Sequence, residues 1–326
     1  MHTMILLLNS IAHFLVDGLC AAVIFGQIAE ERSLLILLYN TLAFSTQCLV
    51  GYIADRMRSV RRMEAISVIL LVLGFALPVH GLLKILLIGA GNSGFHVAGG
   101  VMTLRESEGK AGRLGVFVAP GAAGLTLGTL YPGLGTAFAA ALLAAAAVIY
   151  KIAGDEYDVK EQERIPDISI TLLLTAAVAV RAIGGTAVRF PWNSGAADSL
   201  IMTMFVVAGK MAGGFLCDRN GYRRTAMLSL IPAAVLIAFC TSYMIPSLIG
   251  QFAINLTMPV TLWLLYRSMP ESPGPAFGLA ASALWPGTIA GKLMRLTGPA
   301  LWICVIVSFL FGLGAILYAG KRIKRA

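Results

Sequence analysis

Charge is scarce in this chain of 326 residues: Asp, Glu, Lys and Arg make up 13%, about half the share of a soluble globular protein. Sizeable polar linkers are rarer still, and only residues 154–167 form one. The four histidines (His2, His13, His80, His96) all lie in the first half. Gly91-Asn92-Ser93-Gly94 fits the nucleophile motif of intramembrane serine proteases, but no later helix offers the imidazole base that chemistry needs. The five cysteines (Cys20, Cys48, Cys217, Cys240, Cys304) include no Cys-x-x-Cys pair and read as small core residues. His-Glu-x-x-His, a phosphate-binding loop and a dinucleotide fingerprint are all missing. No enzyme chemistry, cofactor or metal is therefore expected. The first apolar run lacks a basic leader and contains His13 and Asp17, so a cleaved signal peptide is not expected either.

What the chain has is apolar length. Hydrophobic residues make up 58% and come in runs of about twenty, enough to cross ~30 Å of hydrocarbon as helix. The runs predict twelve helices: 4–28, 33–53, 64–82, 84–104, 112–132, 134–153, 168–188, 197–216, 224–243, 245–266, 276–294 and 299–320. The fold class is an all-α membrane protein, with an N-terminal bundle over 1–153, a cytoplasmic linker over 154–167 and a C-terminal bundle over 168–326. The net charge of +9 does not indicate nucleic acid, because the basic residues sit in short clusters between apolar runs. Eighteen of the 25 Lys and Arg fall in alternate loops and the C-terminal tail. Positive-inside bias then places both termini in the cytoplasm of a multi-pass inner-membrane protein.

The halves repeat one another. Gly51-x-x-x-Asp55-Arg56 returns as Gly214-x-x-x-Asp218-Arg219, shifted by 163 residues, and the same shift relates Arg61 to Arg224, Gly124 to Gly287 and Gly128 to Gly291. Six helices per half make this a parallel repeat, an arrangement used by alternating-access transporters.

The loops GYIADRMRSVRR (51–62) and GGFLCDRNGYRR (213–224) resemble the signature loop of the major facilitator superfamily, with Arg58 standing where that family has glycine. The fifth helix, GVFVAPGAAGLTLG (115–128), resembles the Gly- and Pro-rich stretch of its antiporters. AHFLVDG (12–18), GAGNSGFHVAGG (89–100) and MPVTLWLLYRSMP (258–270) are similar to the fosmidomycin-resistance-type permeases. Those continue Phe-His with Pro-Glu-Gly, where this chain has Val97-Ala98-Gly99. The resemblance implies a monomeric transporter and specifies no substrate.

The signature loops have a physical reading of their own. An Asp at a cytoplasmic helix end can pair with a neighbouring helix end and release it as the halves rock, which makes Asp55, Arg56, Asp218, Arg219, Arg223 and Arg224 gating candidates. The alternative is a topology signal alone. The glycines at 124/287 and 128/291 are expected to permit close helix packing.

Asp17 is the one acidic residue near the middle of a predicted span, so it must be protonated, paired or facing water. Asn9, His13 and Asp17 share one helix face. This makes Asp17 and His13 candidates for proton coupling, against the alternative of buried hydrogen-bonding residues. His96 lies in a Gly-rich helix, as a ligand contact or an interhelical bond. Arg181 falls one place from the repeat position of Asp17 and needs Asp17, an anionic substrate or the membrane surface as partner. Gln251, Asn255 and Trp285 complete the substrate-binding candidates. The expected function is proton-coupled export of a small organic molecule; uptake of a small organic anion and a non-transporting ligand sensor are the alternatives.

Overall fold

The computed structural model describes residues 2–28, 32–57, 59–153 and 167–324. Residues 154–166 of the expected linker, and Arg58, lie outside the described residues. The described chain is helical throughout, with no strand. In chain order, α1 is His2–Gly26, α2 covers 32–54 with a wide π turn over Thr41–Ser45, α3 is Val60–Ala76 and α4 is Gly81–Glu106. Next come α5 at Ala111–Leu130, interrupted at Ala119, and α6 at Pro132–Ile152. The second half begins with α7 at Ile168–Thr186, then a stretch Ala196–Phe239 that Gly221 divides into α8 (196–220) and α9 (222–239). It ends with α10 at Met244–Ser268, α11 at Pro273–Leu293 and α12 at Gly298–Ile323.

Nine stretches of described residues are long and apolar enough to cross a membrane. One of them holds both α8 and α9, and α3 and α11 complete the twelve. Leu49, Met204 and Ile303 are each more than 60% exposed, as expected of helices whose outer face meets lipid. This is a multi-pass membrane protein.

Local chemistry explains where the boundaries differ from expectation. The third helix, expected over 64–82, ends at Ala76 because Pro78 pushes Leu77 into an extended conformation (φ −75°, ψ 135°). Gly221 turns the chain between α8 and α9 with φ 79° and ψ 156°, a conformation that a residue with a Cβ avoids. Asp167 caps α7, its carboxylate accepting the Ser169 and Ile170 N–H at 3.1 and 3.3 Å.

The chain forms two compact units. One holds the described residues within Met1–Glu108, Val116–Gln162 and Ser272–Gly278; the other holds those within Gly109–Gly115, Glu163–Glu271 and Leu279–Ala326. The units therefore differ from the expected halves in two short segments, the first turns of α5 and of α11. In the first unit α1 runs through a core that includes Leu19, Ile85, Ile88, Phe95 and Met102. The second unit packs around Leu174, Leu230, Leu264 and Phe309. Gly124 and Gly128 bring α5 against the Phe14 and Gly18 carbonyls of α1, where any Cβ would collide; Gly287 and Gly291 do the same against Ala179 and Ile183 of α7.

Candidate functional site

The α1 face bearing Asn9, His13 and Asp17 meets α4 and the interruption in α5. Pro120 has no N–H for the preceding turn, and beside this break the Phe117 carbonyl lies 2.8 Å from His13 Nδ1. His96 Nδ1 lies 2.9 Å from the Asn92 carbonyl, one turn back on α4. A carbonyl only accepts, so both Nδ1 atoms carry hydrogen and each Nε2 is left with a lone pair. Those two Nε2 atoms face each other at 2.9 Å. The Asp17 carboxylate completes the group, Oδ2 at 3.3 Å from His13 Nε2 and Oδ1 at 3.6 Å from His96 Nε2. His13 and His96 are buried, and the Asp17 side chain is 18% exposed. Three acceptors thus converge on one small volume, an arrangement that calls for a positive charge.

The surroundings supply only partial compensation. Asn92 Nδ2 donates to Asp17 Oδ1 at 3.2 Å and lies 3.6 Å from Cys20 Sγ. Gly121 leaves the room required, since a Cβ there would strike His13 Nε2 and Asp17 Oδ2. Asn9 is fully buried, and among the described residues neither of its amide atoms has a partner; the Asn92 Oδ1 is buried without one as well. His96 was expected as a ligand contact, and here it joins the His13–Asp17 pair. Asn92 entered the sequence reading within the protease-like motif, and Gly121 and the Phe117 carbonyl were not singled out. Asn92 alone left a trace there, as a polar residue one turn before His96.

Arg181 is buried within the second unit, and its Nη1 donates to Thr257 and Thr261 of α10, both at 2.9 Å. Among the described residues its partners are therefore two hydroxyls, neither of the two expected charged partners. The packing also corrects the repeat register. The glycines of α5 and α11 match at 163, but their carbonyl partners Phe14 and Ala179 match at 165. The equivalent of Asp17 is therefore Ala182, and Arg181 precedes it by one place, about 100° around the helix.

The signature aspartates cap helices. Asp218 accepts the Ala111 and Gly112 N–H at 2.7 and 2.8 Å, at the start of α5. Asp55 accepts the Gly274 N–H at 3.0 Å, at the start of α11. Each carboxylate meets the positive end of a helix. The packing around them repeats at 163, with Gly51 against Gly274 and Gly214 against Ala111. Asp55 also pairs with Arg105 of α4 at 3.7 Å, a residue not among the gating candidates. Burial pushes the Asp55 carboxyl up to about 6, against the opposing pull of the Gly274 N–H and Arg105. Arg56 folds back onto Tyr52, its guanidinium 3.3 Å from the ring centroid. Arg219, Arg223 and Arg224 are exposed and make no ion pair among the described residues. Arg61 ties α3 to the end of α6 through the Tyr150 and Ala153 carbonyls at 2.8 and 3.0 Å.

Gln251, Asn255 and Trp285 are half-buried. Asn255 donates to the Gln251 carbonyl at 2.8 Å, within its own helix. Ser93 of the protease-like motif meets the Thr46 hydroxyl at 2.8 Å.

No protein-family model and no curated protein matches the sequence. Solved structures do match the fold. A variant of the E. coli fucose:proton symporter FucP superposes with TM-score 0.72 at 12% identity, over 98% of both chains. FucP in the outward conformation, described as a major facilitator superfamily transporter, gives 0.75 at 13% over 97% of both. The fold is that of major facilitator transporters. The human organic anion transporter MFSD10 matches it as well, at 0.65 and 14% identity over 98% of both chains.

Proposed function

We propose that the chain is a proton-coupled secondary transporter working by alternating access, and that His13, Asp17 and His96 carry the proton. The observation behind this is the convergence of two imidazole Nε2 lone pairs and a carboxylate, with both Nδ1–H groups already committed to carbonyls. Adding one proton turns a repulsive contact into a shared hydrogen bond beside a carboxylate; removing it leaves a group that must find another cation. The fold shared with a protein described as a fucose:proton symporter supports the coupling. The substrate is a small organic molecule. Export is favoured by the resemblance of 12–18, 89–100 and 258–270 to the fosmidomycin-resistance-type permeases. The chain lies in the inner membrane with both termini cytoplasmic and acts as a monomer. The signature aspartates gate it by gripping and releasing the first turns of α5 and α11.

A second reading, uptake of a small organic anion, is favoured by Arg181, a buried guanidinium facing hydroxyls.

The test uses energised everted vesicles challenged with a panel of metabolites and antibiotics. A compound that collapses the pH gradient only in vesicles containing the chain supports export by exchange with protons. Ligands that bind the purified chain, yet collapse no gradient and accumulate on neither side, would show a sensor instead.

A further inference from the structure

The spacing of the triad suits more than a proton. The two Nε2 atoms are 2.9 Å apart, and each faces a different oxygen of Asp17, at 3.3 and 3.6 Å. Tetrahedral coordination with bonds of ~2.0 Å places ligand atoms about 3.3 Å apart, close to the 2.9 Å between the imidazoles and to the approach of each to its own oxygen of Asp17. One ligating atom from each of the three residues fits within a sphere of mutual distances below 4.8 Å. Each imidazole also gives its Nδ1–H to a backbone carbonyl. Such a bond orients a metal-binding histidine and leaves Nε2 as the ligand.

We infer that His13, Asp17 and His96 form a binding site for a divalent transition-metal cation. The inference rests on the triad that the proposed function uses, and it adds a ligand class that the sequence spacing did not announce. Two imidazole nitrogens and one carboxylate suit Zn²⁺, Co²⁺, Ni²⁺ or Fe²⁺, whereas Mg²⁺ and Ca²⁺ prefer oxygen ligands throughout. Three protein ligands leave a coordination position open, which suits exchange better than a closed structural site. Buried polar atoms without partners among the described residues lie one turn away on α1 and α4. Asn9 lies one turn from His13, and its Oδ1 is 3.8 Å from where a Cβ on Gly99, one turn from His96, would stand. Asn9 Oδ1 and Nδ2 and Asn92 Oδ1 are all buried without a partner among the described residues. Gly121 keeps the approach to His13 Nε2 and Asp17 Oδ2 clear of any side chain of its own.

The probe is Co²⁺, whose visible absorption reports nitrogen ligation, titrated into the full chain purified through a tag without histidine. The expected result is one Co²⁺ per chain, displaced by Zn²⁺ but not by Mg²⁺. Binding should weaken at least about tenfold in Asp17→Asn and in His96→Gln. Asp17→Asn changes a single atom and keeps the side-chain shape, so it decides the matter if His96→Gln does not fold. No Co²⁺ binding by the wild type, or equal binding by folded variants, overturns the inference. Proton-coupled transport that depends on Asp17, in a protein that binds no Co²⁺, overturns the metal site and leaves the transport reading standing.

Discussion

The first unit concentrates buried charge where the second has apolar or neutral residues at the same places. Both keep the glycines that let α5 approach α1 and α11 approach α7. At the positions those contacts make equivalent, His13 and Asp17 become Val178 and Ala182, and Gly121 becomes Leu284. At the 163 shift of the signature loops, His96 becomes Pro259. Asn92 is matched by Asn255, the same residue doing different work. Asn92 donates to Asp17, whereas Asn255 donates to a carbonyl of its own helix. Duplication has kept the backbone contacts, which any change of glycine would break, and let the polar chemistry diverge. Among its described residues the second unit keeps one buried cation, Arg181, held by threonine hydroxyls.

That contrast can be broken most sharply by moving the second unit's residue into the first. Gly121→Leu imports the side chain of Leu284 into the space used by His13 Nε2 and Asp17 Oδ2. Overpacking of this kind costs about 1–3 kcal/mol. The larger expected effect is on function, with proton-coupled transport lost while the variant still reaches the membrane. Vesicle transport together with thermal unfolding in detergent checks both.

The signature loops come next. Asp218→Asn leaves one carboxamide oxygen where two carboxylate oxygens each take an N–H. It should cost about 1 kcal/mol at the start of α5 and slow transport. Asp55→Asn keeps an acceptor for the one Gly274 N–H, so its effect on transport should be smaller. Equal rates in both variants and the wild type would reduce the loops to topology signals.

Arg181→Ala should be milder still for folding. It strands no carboxylate, and Thr257 and Thr261 keep their own bonds to the Ile254 and Thr257 carbonyls at 3.0 and 2.6 Å. In a double-mutant cycle with Asp17→Asn, the coupling should stay within about 0.5 kcal/mol, the additivity expected of independent sites. A large coupling would mean that the two residues share a charge balance after all.

The smallest effect is a pH slope. The Asp55 carboxyl is raised to about 6 from an ordinary value of about 3.9, so the native state holds its proton more tightly than the unfolded chain. Its contribution to stability is fully present below pH ~4 and is lost as pH rises through about 6. Unfolding temperatures of the wild type, compared with Asp55→Asn, should diverge over that window and run parallel elsewhere.

The spans were legible because lipid imposes apolar runs of known length, and so was the α1 stripe, because period and polarity coincide there. His96 could not be placed against His13 from a separation of 83 residues. The Phe117 carbonyl that orients His13 carries no side-chain signature at all. Arg181 was expected to take Asp17, an anionic substrate or the membrane surface as partner, because threonines that satisfy a guanidinium look like ordinary helix residues. It stays one place from the repeat position of Asp17, but on the other side from the one reached by applying one shift throughout. The shift is 165 for α1/α7 but 163 for α2/α8 and α5/α11, so it changes between the first and second helix of each half.

The central claim is that the first unit's triad carries the proton, and Asp17→Asn in proteoliposomes tests it most directly. The amide keeps the shape of the carboxylate and cannot exchange a proton, so substrate exchange across the membrane should persist while transport driven by a pH gradient stops. Gradient-driven transport at the wild-type rate in Asp17→Asn would contradict the account.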